Sequence, residues 1–220
     1  YLLRLGWGHG NNEQISINDA IKWFGLENIG KSPARFDISK LMNLNSYYLS
    51  NTPNSELIIV IRDRLEEKFG KKLNKKVEKR IDIAMGELKK RSKTILELFE
   101  NTLLYVKDRP IILNQHNELF FTDESLAHLS ELRISLKKLE QWDLDKLNSC
   151  VHEYLKSNDL KLKDIAPAIR LSLLGVPASH GIYDIMFILG QKETCDRLDD
   201  CLNIFIVPKK IDHGNRLYKK

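Results

Sequence analysis

Along this chain one apolar pattern after another repeats at the spacing of an α-helix, and no convincing alternation of apolar and polar residues interrupts the series. The run at 56–69 sets Leu57, Ile58, Ile61, Leu65 and Phe69 on one face. The run at 75–90 does so with Val77, Ile81, Ala84, Met85 and Leu88, and the run at 94–106 with Ile95, Leu98, Phe99, Thr102 and Leu103. A helix from Thr122 to about Gln141 carries Leu126, Leu129, Leu132, Ile134, Leu136 and Leu139. Ser16, Asp37, Asn74, Thr122 and Asp143 stand where a helix should begin, and Gly6, Gly70, Gly175 and Gly190 where one should stop. Short connections between helices of roughly 10–18 residues lead to an all-α fold built from small antiparallel bundles.

The breaks divide the chain. Residues 1–5 read as the last turns of a helix whose beginning is absent, so the sequence is expected to be a fragment of something longer. A short helix opens at Ser16, with Asp19 placed to close a capping box. Pro33 blocks helix, Asp37 caps a helix over 38–49, and Pro53 ends this first segment, 1–53. Asn114-Gln115-His116-Asn117 reads as a turn and sets a boundary between 54–117 and 118–207. In the last of these, Pro167 is expected to delay the helix until 168. The basic tail 208–220 is expected to be loose.

Charge is unevenly spread. The net excess is +5, with a sequence pI near 9.0, which permits an anionic partner without requiring one. Between Lys71 and Lys93 stand ten Lys or Arg and three acids, Glu78, Asp82 and Glu87. Lys89-Lys90-Arg91-Ser92-Lys93-Thr94 falls at the joint between two helices, where cations can face a polyanion without disturbing the core behind them. A solvated helix face is the plain structural alternative. Lys31, Ser32 and Arg35 together suit a phosphate, but no strand and glycine-rich lead precede them as in a P-loop.

Catalytic motifs are missing: there is no GxSxG, HExxH, Walker loop or GxGxxG. Six scattered histidines and the cysteines Cys150, Cys195 and Cys201 make no metal-ligand spacing, and three unpaired cysteines fit a reducing compartment. No apolar run approaches the roughly 18 residues that span a bilayer. The expectation is a cytoplasmic chain with no catalytic residues, no metal and no cofactor of its own.

Three stretches together resemble bacterial glutamyl-tRNA synthetase. Tyr1-Leu2-Leu3-Arg4-Leu5-Gly6-Trp7-Gly8-His9-Gly10, with the later Lys31-Ser32-Pro33-Ala34-Arg35-Phe36-Asp37 and Lys40, Leu41, Leu44, Asn45 and Tyr48, is similar to the segment after that family's catalytic domain. Lys90-Arg91-Ser92-Lys93-Thr94-Ile95, with Glu97 and Leu98, resembles its Arg-x-Lys-Thr-Leu stretch. Residues 169–175, then Ser179, Gly181-Ile182-Tyr183, Ile185-Met186 and Leu189-Gly190, resemble its C-terminal signature. The sequence departs from that pattern at Leu174, usually Thr, at His180, often Pro, and at Val176, commonly basic or polar.

The resemblance implies a remnant of the stem-contact domain at 1–53, followed by two helical anticodon-binding subdomains at 54–117 and 118–207. It implies a full enzyme that joins glutamate to tRNA using ATP and Mg, while this part binds the anticodon arm and is inactive alone. Its partner would be tRNA-Glu, with tRNA-Gln left open, and neither DNA nor a membrane; the chain would be a monomer. By resemblance Arg91 and Arg170 contact anticodon nucleotides, since a guanidinium both stacks and donates in a plane. Lys89, Lys90 and Lys93 meet phosphates, as Lys31, Ser32 and Arg35 do on the inner corner of the tRNA. A helical protein-interaction module with a basic face is the rival reading.

Overall fold

A computed structural model describes residues 1–31, 33 and 35–206. Ser32 and the tail 208–220 lie outside the described residues. The described chain is all-helical apart from one antiparallel bridge between Trp7 and Ile29. A 3₁₀ turn at Leu3–Leu5 leads to α1 (Ile17–Trp23), and a second at Leu26–Asn28 leads to α2 (Ile38–Asn51). Then follow α3 (Asn54–Phe69), α4 (Lys75–Lys90), α5 (Ile95–Val106) and the single turn α6 (Gln115–Glu118). The series ends with α7 (Asp123–Lys137), α8 (Leu144–Ser157), α9 (Leu162–Leu174), α10 (Ile182–Leu189) and α11 (Gln191–Ile206). No helix among the described residues is long and apolar enough to cross a membrane.

Helix starts follow local chemistry. The side chains of Ser16, Asp37, Asn74, Thr122 and Asp143 each accept the backbone N–H three residues on, which satisfies a donor that the first turn leaves without a partner. Asp19 carries its carboxylate to the Ser16 hydroxyl at 2.7 Å. Gly70 ends α3 and Gly175 ends α9 at positive φ, a conformation glycine adopts without steric cost.

Two helix bounds differ from the sequence expectation by more than two residues. α9 starts at Leu162, so Pro167 lies inside it. The proline withholds one N–H from the Lys163 carbonyl; Lys163 is exposed, and water can take that acceptor. Asp164 accepts the Lys161 N–H at 3.0 Å and so favours the earlier start. α7 stops at Lys137 rather than near Gln141. There the Gln191 amide donates to the carbonyls of Leu136 and Leu139, at 3.1 and 2.8 Å, in place of a further helical turn.

The chain forms two compact units. The first comprises Tyr1–Leu73 with Met85–Asn101, the second Asn74–Ala84 with the chain from Thr102 onward. α4 and α5 therefore each contribute residues to both. In the first unit Trp7, Leu49, Leu57, Ile61, Leu65, Met85, Leu88 and Leu98 are buried. Leu57, Ile61 and Leu65 follow the helical period of α3, so one face enters the core while Asp63 and Glu67 stay in water. In the second unit α11 packs on α7, α9 and α10, and α10 packs also on α8 and α9. Its core includes Tyr105, Leu129, Leu132, Leu136, Leu147, Val151, Leu171, Ile185 and Leu198.

Candidate nucleic-acid interface

Within the first unit the basic joint is a braced turn. α4 closes with the Arg91 N–H on the Leu88 carbonyl at 3.2 Å. Ser92 is 1% exposed; its hydroxyl donates to the Leu88 carbonyl at 2.8 Å and accepts from the Asn101 amide at 3.1 Å. Thr94 caps α5 by accepting the Glu97 N–H at 3.0 Å, and the Glu97 carboxylate accepts the Lys93 N–H at 2.6 Å. The Asn45 amide donates to the Lys93 carbonyl. Polar side chains from α2 and α5 thus hold this backbone in one conformation, with Arg91 and Lys93 exposed upon it.

The four basic side chains here differ. The half-buried Lys89 donates its ammonium to the Thr52 carbonyl at 2.9 Å, so one of its hydrogens closes the end of α2. Lys90 pairs with Glu87 at 2.8 Å one turn back. Arg91 and Lys93 are exposed on either side of the buried Ser92.

The same unit holds a cleft of about 800 Å³ between its amino-terminal turn and α2. Arg4, Arg35 and Lys40 line it with Tyr1, Phe36 and Glu13. Tyr1 shapes this wall: its hydroxyl donates to the Asp37 carbonyl at 2.9 Å and accepts the Asp37 N–H at 2.6 Å, and its ring meets Phe36 edge-on at 5.0 Å. Lys40 lies 3.9 Å from Glu13. Arg35 is exposed at the cleft. Lys31 is exposed just past Gly30, whose N–H is fixed to the Gly6 carbonyl at 2.7 Å. Of the sequence-derived trio Lys31, Ser32 and Arg35, only Arg35 lines the cleft among the described residues, and Arg4 and Lys40 join it.

In the second unit Arg170 is half-buried on α9, and its Nε donates to the His180 carbonyl at 3.1 Å. The loop between α9 and α10 is held at its other end too. Lys107 donates to the Leu174 carbonyl at 2.8 Å and Arg197 to the Leu173 carbonyl at 2.5 Å, so two cations meet the negative end of α9. Burial, and after it the nearby Arg197 charge, push the Lys107 ammonium below its usual range. Arg197 is 1% exposed and spends its other donors on Glu193 at 3.0 Å and the Lys107 carbonyl at 3.0 Å. Glu193 also receives Lys76 at 2.5 Å and Arg80 at 3.2 Å. Burial alone would raise the Glu193 carboxyl, but the Lys76 hydrogen bond and the Arg80 and Arg197 cations hold it down at about 2.

Sequence reading missed this network, although Glu193 and Arg197 stand at the spacing of a helical ion pair. It missed Ser92 as a brace, for no local pattern marks a buried hydroxyl. Among the described residues no three of His, Cys, Asp and Glu gather as a metal site.

Comparison with known proteins matches residues 58–202 to a family model described as an anticodon binding domain. A glutamate–tRNA ligase 2 from Zymomonas mobilis is 38% identical over 204 residues, which is 93% of this chain and 42% of that protein. One from Paramagnetospirillum magneticum is 38% identical over 203 residues, 92% of this chain and 43% of that protein. The chain thus spans less than half the length of the curated relatives it matches. A crystal structure of a glutamate tRNA ligase from Elizabethkingia meningosepticum, in complex with its amino acid, superposes with a TM-score of 0.76 at 20% identity. That match covers 90% of this chain and 39% of the other, and supports the fold.

Proposed function

The chain belongs to the anticodon binding domain family, and from that premise we propose that it is the anticodon-arm-binding part of a glutamate–tRNA ligase. The observation that carries this reading is the family match over residues 58–202, which includes both the braced joint and the α9–α10 loop. The full ligase would esterify glutamate to tRNA with ATP and Mg, through residues outside this chain. Here the partner is tRNA-Glu, met by a monomer in the cytoplasm, and the linear divisions at 53, 117 and 207 mark the stem-contact remnant and two anticodon-binding subdomains.

Arg91 reads an anticodon base from its fixed turn, and Arg170 reads another with the donors that His180 leaves to it. Unstacked anticodon bases expose their edges and faces, which suits a guanidinium. Lys93 and Lys90 meet phosphates; Lys89 does so with the hydrogens not given to Thr52. Lys31, Ser32 and Arg35 meet backbone on the inner corner of the tRNA, with Arg4 and Lys40 added by their place in the cleft.

Binding of the chain to tRNA-Glu, tRNA-Gln and an unrelated tRNA at two salt concentrations tests this. Preference for tRNA-Glu, with affinity falling as salt rises, is the expected result, because phosphate contacts release counterions. Equal binding of tRNA-Gln marks a relaxed reader. Salt-insensitive binding without preference overturns the proposal in favour of a protein-interaction module.

A further inference from the structure

We propose that His180 is a positioning residue for Arg170, locked through its ring to Tyr105, and that it sets how strictly the second unit discriminates anticodons. The inference rests on the reading role of Arg170 proposed above. His180 stands where the resemblance leads one to expect proline, and the structure gives the histidine two tasks that its neighbours define. Its carbonyl accepts the Arg170 Nε–H at 3.1 Å. Its ring, 4% exposed, places Nδ1 3.0 Å from the Tyr105 hydroxyl and lies against the Tyr105 ring at 5.6 Å.

Tyr105 is itself fixed. It is fully buried, and its carbonyl accepts the Arg80 guanidinium at 2.7 Å. Arg80 pairs in turn with Glu193, and Glu193 with Arg197, whose guanidinium donates to the Leu173 carbonyl near the end of α9. The loop from Gly175 to Gly181 is therefore held at its start by Lys107 and Arg197 and at its end by His180. A proline ring has no atom that could replace Nδ1 toward the Tyr105 hydroxyl. In this chain the angle of the His180 carbonyl depends on a side-chain hydrogen bond, and that carbonyl fixes one edge of the Arg170 guanidinium. A guanidinium held on one edge presents its remaining donors in a set plane, which is where selectivity between bases arises.

The test is a double-variant cycle on the 220-residue chain. Binding to a tRNA-Glu transcript, and to transcripts with each anticodon base replaced, is measured for the parent, Tyr105→Phe, Arg170→Ala and both together. Tyr105→Phe keeps the ring and removes the hydroxyl. It is expected to lower the preference for the natural anticodon roughly threefold to tenfold, the loss that one hydrogen bond represents. It should leave the salt dependence unchanged and add nothing once Arg170 is alanine.

Loss of preference that is equal in both backgrounds, or no loss, overturns the positioning role. Full preference in Arg170→Ala alone overturns the reading role itself, and does so in a single variant. A second measurement needs no substitution. The Arg170 Nε–H of the parent is expected to exchange with solvent more slowly than that of Arg62, whose Nε stands 3.9 Å from Asp63 on the surface. Equal exchange overturns the proposal.

Discussion

The Glu97 carboxylate accepts the Lys93 backbone N–H at 2.6 Å, folding the first turn of α5 back over the joint that precedes it. Thr94 completes the arrangement by capping Glu97. Replacing Thr94 by alanine should lower stability by about 1 kcal/mol, the usual loss of an N-cap. Urea denaturation checks this, with an unchanged slope and an earlier midpoint expected.

Arg91 and Lys93 stand two residues apart yet should fail in different ways. Arg91→Ala is expected to weaken binding of tRNA-Glu by about 1–3 kcal/mol and to flatten preference among anticodon variants. Lys93→Ala should weaken all tRNAs alike and reduce the slope of log affinity against log salt by nearly one, the share of a single phosphate. Titrations of an anticodon panel at several salt concentrations separate the two. If Arg91→Ala binds every variant with the parent's preference, its reading role is wrong.

Glu193 makes the second unit sensitive to acid. Its folded-state value of about 2 lies below that of an unfolded glutamate, so its contribution is fully present above the unfolded value. That contribution is lost as the pH falls through the folded value. Glu193→Gln should cost about 3–5 kcal/mol at neutral pH, because Arg80 and Arg197 remain buried without their anion. The difference from the parent should shrink as both are taken toward pH 2 in denaturation experiments. A constant difference across that range would refute the assignment.

Gly175 ends α9 at φ 75°, and a Cβ there would lie 2.9 Å from the Ile111 Cγ2 and 3.3 Å from the Lys107 Nζ. Gly175→Ala should therefore destabilise the chain by more than the roughly 1–2 kcal/mol of a left-handed residue alone. Thermal unfolding measures it.

Much of the fold was legible because helix ends carry local chemistry. Ser16, Asp37, Asn74, Thr122 and Asp143 each stand one residue before a helix and accept the N–H three residues on, and the period of Leu57, Ile61 and Leu65 reveals the buried face of α3. One misplaced bound has a distant cause. α7 ends where Gln191, more than fifty residues later, supplies donors to its carbonyls, and no local pattern carries that contact. Pro167 reads as a helix breaker until the exposure of Lys163 is known.

The candidate site was legible in part for the same reason. Arg91 and Lys93 stand out as exposed charge at a helix joint, and Lys90 pairs with Glu87 at a spacing visible in the sequence. Lys89 looks equivalent to them, yet its ammonium meets the carbonyl of Thr52, thirty-seven residues back. Arg170 likewise meets the carbonyl of His180. Backbone acceptors leave no signature in residue identity, so which cations are partly engaged within the fold was not readable.

Arg197 grips the carbonyls of Leu173 and Lys107 with two nitrogens of one guanidinium, and so ties the end of α9 to the segment leaving α5. Opening α11 would release both at once. Amides at the ends of these three helices should then exchange with deuterium as one cooperative block, so this half of the molecule would open as a single foldon rather than fray helix by helix.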